Sequence, residues 1–135
     1  MGQKHNREIA EKLLAGMGQG EAPDSIAGLF SDDVEFEIPG DNGALPWIGR
    51  KGGRTAIVDF IRALRSLTEP VKYDVQDVLA SEERAVIVGE LVTRIKATGK
   101  VIETAFAIIL TVSDSKISRF RMLEDSFAVS RAARS

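Results

Sequence analysis

The stretch of residues 30–50 constrains the fold more than any other part of the chain. Residues 34–38 alternate between apolar and charged side chains, which predicts a strand with one apolar face. Pro39 then turns the chain into a loop rich in Gly and Asn that carries Trp47, the only tryptophan. A strongly periodic helix follows. A strand, a loop with a tryptophan and a helix in this order predict the entrance of a pocket between a sheet and a helix.

Helices come before and after this stretch. Residues 4–17 place apolar side chains at helical spacing, and Pro23 marks the first turn of a second short helix. The third helix, over residues 54–67, has the clearest pattern, because its apolar side chains recur every three or four residues and charges occupy the other side. Pro70 ends the helical region, since a residue before proline avoids the helical conformation.

The rest of the chain predicts β-structure. Four strands are expected after Pro70, over residues 71–79, 85–96, 101–112 and 117–125. Residues 127–135 form a short basic tail. Helices first and an antiparallel meander last define an α+β domain. A chain of 135 residues suits a single domain, residues 1–135, with one core.

The six residues before the third helix, 49–54, combine glycine with positive charge. Because backbone N–H groups at a helix start can bind anions, one interpretation is an anion cradle. The segment lacks the Gly-Lys-Ser/Thr ending of a phosphate-binding loop. A flexible basic turn is the simpler prediction.

The hairpin between the two longest strands predicts a partner. A two-residue turn at Thr98-Gly99 would place Arg94 opposite Glu103, as a cross-strand ion pair or a substrate contact. In this register both faces of the hairpin are apolar. One face can pack on the helices, and the other needs a different cover. A second subunit is the simplest cover and predicts a homodimer through the sheet; a loop or tail folded over that face is the alternative.

Composition narrows the possible functions. The chain is 44% hydrophobic and 28% charged, with a formal net charge of −2 and no cysteine. This balance has no basic stripe for nucleic acid and no polybasic segment for a membrane. A chain without cysteine and with a single histidine, His5, offers no evident metal ligand set. We therefore expect no cofactor, no nucleic acid, no membrane contact and a cytoplasmic location.

The order of elements resembles the nuclear transport factor 2-like superfamily, also called cystatin-like, which includes ketosteroid isomerases, epoxide hydrolases and SnoaL-like polyketide cyclases. The residues that carry the resemblance are 30–36, 49–52, 98–100, Lys116-Ile117 and Asp125. The SnoaL-like branch is the most similar. The resemblance implies a cone-shaped, curved antiparallel β-sheet packed on three N-terminal helices.

Several positions depart from the better-known enzymes of this superfamily. Ketosteroid isomerases carry a carboxylate base before the proline that ends the first strand, where this chain has Ile38. Their oxyanion donors correspond to Leu13 or Leu14 and to Ile108. The epoxide hydrolases carry an aspartate where this chain has Met122. The particular catalytic sets of these two enzyme types are therefore incomplete in this chain.

One candidate for proton transfer remains, a carboxyl group near the end of the last strand. SnoaL-like cyclases use an acid at this place as acid/base, and Asp125 matches it, with Glu124 beside it. A carboxyl group at the rim of an apolar pocket loses hydration, so its pKa rises and it can exchange protons near neutral pH. Which residue faces the pocket depends on the strand register: alternation favours Glu124, and a β-bulge would bring in Asp125. A helix or turn cap is the structural alternative for Asp125.

Aromatic side chains are the expected ligand contacts. The candidate substrate-binding residues are Phe36, Trp47, Phe60, Tyr73, Phe106, Phe120 and Met122. The sequence thus predicts a protein that binds a small apolar organic molecule. It would be an isomerase, cyclase or hydrolase-type enzyme that uses acid/base chemistry on a cyclic or carbonyl substrate. A non-catalytic ligand-binding or interaction module is the alternative.

Overall fold

The structure is a computed structural model that describes residues 2–134. Its third helix packs against the sheet. It starts after Gly53, whose φ of 84° suits glycine. Ile57 and Ile61, one turn apart, are buried against the sheet. The helix ends at Leu67, and the Thr68 hydroxyl donates a 2.6 Å hydrogen bond to the Leu64 carbonyl. The chain therefore leaves this helix directly into a strand.

The described residues contain four helices and six strands, connected by loops and turns. The helices are α1 (Gly2–Gly18), α2 (Pro23–Ala27), α3 (Arg54–Leu67) and α4 (Ser126–Ala133). The strands are β1 (Phe30–Ile38), β2 (Gly49–Gly52), β3 (Thr68–Ala80), β4 (Arg84–Ile95), β5 (Val101–Ser113) and β6 (Lys116–Glu124). Among these residues, no helix is both long enough and apolar enough to span a bilayer.

The strands form one curved sheet that does not close, in the order β2-β1-β6-β5-β4-β3. Its concave face holds the core, which includes Phe36, Ile87 and Leu110. Helix α1 packs on β3 and β4, and α3 packs on β1 and β3. These contacts confirm the predicted α+β class. One neighbouring pair, β1 and β6, is parallel, whereas the other pairs are antiparallel.

Two segments that were expected to be irregular are regular. Residues 49–52, the predicted basic turn or anion cradle, form β2 and pair antiparallel with β1. Arg50 donates a 2.9 Å hydrogen bond to the Glu37 carboxylate, and Arg54 contacts Asp32 at 2.6 Å. Their cationic groups are thus used within the fold. The predicted basic tail contains α4, whose Val129 and Ala132 are buried.

The predicted register of the long hairpin is wrong by two residues. The strands end at Ile95 and restart at Val101, so five residues rather than two connect them. Arg94 therefore faces Val101, and Glu103 faces Val92. A shift of two residues keeps every side chain on its predicted face, because the side-chain period of a strand is two. The alternation of apolar residues determines which face of the sheet each side chain occupies, whereas the length of the turn determines the pairing register of the two strands.

Candidate functional site

A cavity of about 540 Å³ lies between the concave face of the sheet and the helices. This volume lies within the usual range for sites that hold small organic molecules. Most of the lining side chains are apolar. They include Leu13, Leu14 and Met17 from α1, Ile57, Phe60, Ile61 and Leu64 from α3, and Leu91, Ile102, Ile108, Phe120 and Met122 from the sheet.

An aromatic cluster forms one wall of the cavity. The rings of Phe36 and Phe120 stack with their centroids 5.2 Å apart and their planes only 6° from parallel. Phe60 packs against Phe36 at 5.2 Å, and Trp47 contacts Phe60 edge-on at 5.8 Å. All four side chains line the cavity. Stacked and edge-to-face rings hold each other rigidly, so this wall presents a fixed, flat, apolar surface.

Glu124, the last residue of β6, places a carboxyl group in this apolar wall. It lies opposite Phe106 of β5, on the concave face that Phe120 and Met122 share. Burial raises the pKa of Glu124 to about 7, and no charge or hydrogen bond from the described residues offsets this rise. A carboxyl group with this pKa is present in both protonation states near neutral pH.

Asp125 directly follows Glu124, but its side chain has different surroundings. Its carboxylate accepts hydrogen bonds of 3.1 Å from the backbone N–H groups of Phe127 and Ala128, so it caps the start of α4. The side chain is exposed, and Asp125 does not belong to the cavity lining. The bulge in β6 lies near Ile117, at the start of the strand, rather than near its end. The two candidate carboxylates therefore point to different surroundings.

Tyr73 stands at the edge of the cavity. Its ring stacks on Phe106 with a centroid distance of 5.1 Å, and partial burial raises the pKa of its phenol to about 12. Tyr73 lines the cavity but is 49% exposed, so it marks the boundary with solvent. Phe106 is buried beneath this ring and is not itself part of the lining. Since Phe106 also pairs with Glu124, both polar groups lie in one part of the cavity.

A polar contact joins two segments that border the cavity. Asp41, in the loop that carries Trp47, accepts hydrogen bonds from the Ser130 hydroxyl at 2.6 Å and from Arg134 Nε at 2.7 Å. The hydrogen bonds from Arg134 and Ser130 lower the pKa of Asp41 to about 2. This contact ties the loop to α4, which contributes Val129 to the cavity wall.

The sequence did not indicate several of the lining residues. Among the apolar residues of α3, only Phe60 was predicted to contact a ligand, because helical periodicity alone does not separate core from cavity wall. Leu91, Thr93 and Ile102, which share one face of the paired strands β4 and β5, also line the cavity. No sequence signal distinguishes these residues. Arg65 is periodic with the charged side of α3, yet it also lines the cavity.

Within residues 2–134, no three His, Cys, Asp or Glu side chains come together in a group that could hold a metal ion. The polar side-chain groups in the cavity lining are those of Trp47, Arg65, Thr68, Tyr73, Thr93 and Glu124.

The fold and the cavity together define the structural class of the protein. A curved open sheet that packs on helices around an apolar cavity is the nuclear transport factor 2-like architecture. The sequence model of the SnoaL-like domain matches residues 10–120. The chain therefore belongs to the SnoaL-like domain family, as the resemblance implied. No curated protein matches the sequence.

Solved structures agree with this assignment. A nuclear transport factor 2-like protein from Burkholderia xenovorans LB400 is similar over 99% of both chains, with a TM-score of 0.89 and 26% identity. Another from Burkholderia thailandensis E264 has a TM-score of 0.82 and 18% identity, over 96% of this chain and 98% of that chain. A candidate SnoaL-like polyketide cyclase from Mesorhizobium loti has a TM-score of 0.69 and 18% identity, over 85% and 95%. The last two similarities show a shared fold.

Proposed function

We propose that the cavity binds a small apolar molecule with a carbonyl group and that Glu124 transfers a proton to or from it. One observation carries this proposal: a carboxyl group with a pKa of about 7 lies in the wall of an apolar cavity of ligand size. An acid/base catalyst is most effective when its pKa is near the working pH. Glu124 meets that condition because of its burial alone.

The proposed chemistry is proton abstraction next to a carbonyl group. The Glu124 carboxylate accepts the α-proton, the carbonyl oxygen gains the negative charge of an enolate, and the protonated carboxyl group later returns a proton to carbon. The phenol of Tyr73 supports this assignment, because a group with a pKa of about 12 remains a hydrogen-bond donor at neutral pH. Isomerases and cyclases share this first step.

A non-catalytic ligand-binding module is the second candidate, and one observation favours it. Three cavity positions that are polar in the better-known enzymes of the superfamily hold apolar side chains: Leu13 or Leu14, Ile108 and Met122. The cavity thus provides fewer polar groups than a full oxyanion site. The two candidates differ in one expectation: only an enzyme loses turnover, while it keeps affinity, when Glu124 can no longer ionise.

Ligand binding in the cavity is tested with N-phenyl-1-naphthylamine, a neutral probe that fluoresces in apolar surroundings. We expect Thr93→Trp to weaken its binding by about tenfold or more, because Thr93 lines the cavity and an indole ring would occupy part of its volume. Arg94→Trp is the matched control, because Arg94 is the next residue and points to the other face. Unchanged affinity in Thr93→Trp would place the probe elsewhere and contradict the proposal.

The convex face of the sheet supports the homodimer that the sequence predicted. Val88 and Ala107 face each other there, and neither is fully buried. Arg119 and Arg121 lie on the β6 side of this apolar centre, and exposed acidic residues of β3 such as Asp77 lie on the other side. Glu37 of β1 already contacts Arg119 and Arg121, at 3.8 and 3.3 Å, so a two-fold axis would pair the apolar centres of the two copies rather than opposite charges. We therefore propose that two copies pair through this face.

Substitution at the centre of this face tests the dimer. We expect the protein to sediment as a dimer at micromolar concentration and Val88→Glu to sediment as a monomer, because pairing would bury an uncompensated charge. Ser66→Glu, on the exposed side of α3, is the control and should remain dimeric. A monomeric wild-type protein, or a dimeric Val88→Glu variant, would rule out this interface.

A further inference from the structure

The cavity opens between the end of α1 and the start of β3. Of the lining residues, Gly18 and Pro70 are exposed, and Tyr73 is half-exposed. Arg65, in the last turn of α3, belongs to the same lining and is partly exposed. We call this opening the mouth and define it by Gly18, Arg65, Pro70 and Tyr73. A ligand that enters here passes the guanidinium group of Arg65.

Arg65 has unused hydrogen-bonding capacity. Its Nη1 donates a 2.6 Å hydrogen bond to the backbone carbonyl of Glu21. Its Nη2 is buried and has no hydrogen-bond partner among the described residues. A guanidinium group carries five N–H donors, and a buried donor without an acceptor is unfavourable. Such a group needs an additional acceptor.

Arg65 is also the only cationic side chain among the described residues that line the cavity. Guanidinium binds carboxylate through two parallel hydrogen bonds, and the remaining lining offers no other positive charge for an anion. The mouth therefore differs in chemistry from the aromatic wall of Phe36, Phe60 and Phe120. An apolar body and an anionic head would each find a matching environment.

We propose that the ligand is an amphipathic carboxylic acid whose flat apolar body fills the cavity and whose carboxylate pairs with Arg65 at the mouth. This inference rests on the proposed ligand-binding function of the cavity. Rotation of the guanidinium group would bring its buried, unpaired nitrogen to an anionic acceptor. The same contact fixes the direction in which the ligand enters, because the charged end stays at the solvent side.

The position of Glu124 is compatible with an anionic ligand. Arg65 lies three residues before Thr68, the first residue of β3, whereas Glu124 ends β6. Two strands, β5 and β4, separate β6 from β3 in the sheet. The carboxylate of the ligand would thus pair with Arg65, just before β3, while Glu124 reaches the cavity from β6, and the guanidinium charge offsets the repulsion between the two carboxylates. A carbonyl group in the body of the ligand can still reach Glu124.

The experiment compares 1-naphthaleneacetate with 1-naphthaleneacetamide, which share an aromatic body and differ in charge. Each competes with N-phenyl-1-naphthylamine at pH 6, where the acetate is ionised and most of the Glu124 carboxyl group is protonated. We expect the wild-type protein to prefer the acetate by about tenfold. Arg65→Gln should lose this preference by weakening acetate binding alone, and Arg65→Lys should retain part of it. Arg62→Gln, an exposed arginine of the same helix, is the control and should keep the full preference.

The ratio of the two affinities separates recognition from a structural role. A purely structural effect of Arg65 would change the binding of acetate and acetamide alike and leave the ratio intact. Equal affinities in the wild-type protein, or a preference that survives in Arg65→Gln, would overturn the inference while the cavity still binds the neutral probe. If the neutral probe does not bind the wild-type protein, the proposed ligand-binding function fails, and this inference fails with it.

Discussion

Glu124→Gln is expected to slow the exchange of the α-hydrogens of 2-tetralone for deuterium by about 10²- to 10⁴-fold, the usual contribution of a general base. 2-Tetralone is an apolar bicyclic ketone, so it tests the proposed reaction class without knowledge of the natural substrate. Glutamine keeps the size of the side chain and one of its two oxygens, with NH2 in place of the other, but it cannot accept the proton. The affinity of the Glu124→Gln variant for 2-tetralone should therefore differ from the wild-type affinity by no more than about threefold. Proton NMR in deuterium oxide measures the exchange directly.

The pH dependence of this exchange provides a second measurement. The base must be ionised, so the wild-type rate should rise with pH and reach a plateau above the pKa of about 7 that burial imposes on Glu124. An exposed carboxylate would give a plateau from about pH 5 upward. A rate that is already constant between pH 5 and 8 would contradict the assignment of Glu124 as the base.

Asp125→Asn is the matched control for this substitution. Asparagine caps helices about as well as aspartate, so α4 should remain in place. Because Asp125 is exposed and lies outside the cavity lining, its loss of charge should leave the exchange rate within about twofold. Equal losses in both variants would indicate a general effect on this end of β6. Unchanged rates in both variants would rule out Glu124 as the base, and a wild-type rate no higher than the uncatalysed rate, with ligand affinity intact, would favour the non-catalytic module.

The same pKa shift predicts a change in stability that runs opposite to the change in activity. The folded-state pKa of Glu124, about 7, lies above the ordinary carboxyl value of 4.5, so the folded protein binds more protons than the unfolded chain between these values. The free energy of unfolding therefore falls as pH rises through this window, by up to about 3 kcal/mol. Because glutamine does not ionise, Glu124→Gln removes the free-energy cost of a buried carboxylate. The variant should therefore be more stable than the wild-type protein at pH 8. An inactive but more stable variant excludes unfolding as the cause of the lost exchange.

The architecture was predictable from sequence because local signals determined it. The alternation in residues 34–38 and the periodicity of residues 54–67 each depend on which side chains must leave water, and both elements formed. Turn geometry was less predictable: five residues connect β4 and β5, although Thr98-Gly99 resembles a two-residue turn. The short β2 forms only because β1 offers it a partner, and no local pattern contains that information.

The candidate site was predictable in part. Aromatic residues such as Phe36 and Phe120 were assigned to the cavity because they alternate onto one face. The choice between Glu124 and Asp125 depended on where β6 ends, and element ends are poorly determined by sequence. Asp125 became a cap because α4 begins at Ser126, a helix that the basic character of this segment did not indicate. The role of Arg65 depends on the shape of the mouth, which only the folded chain defines.

Gly89→Ala is expected to lower the free energy of unfolding by about 3 kcal/mol, which for a domain of this size corresponds to a decrease in Tm of about 10 °C. Gly89 lies in the centre of β4, where β3 comes unusually close. A Cβ atom at Gly89 would overlap the backbone carbonyl oxygen of Asp74 and lie 3.1 Å from Cε1 of Phe106. A backbone oxygen within a paired strand cannot move without disturbing the pairing, so β3 would have to shift.

This shift would also reach the cavity, because Tyr73 precedes Asp74 and stacks on Phe106. Displacement of β3 should therefore weaken the binding of N-phenyl-1-naphthylamine as well as stability. Gly52→Ala is the control: Gly52 lies in β2 outside the cavity lining, and a Cβ atom there would meet only the Val34 carbonyl oxygen, at 3.8 Å, so the substitution should be neutral or slightly stabilising. A Gly89→Ala variant that melts within about 2 °C of the wild-type protein would show that β3 can yield at this point. In that case the position of Tyr73, and with it the mouth of the cavity, would not be fixed by the sheet.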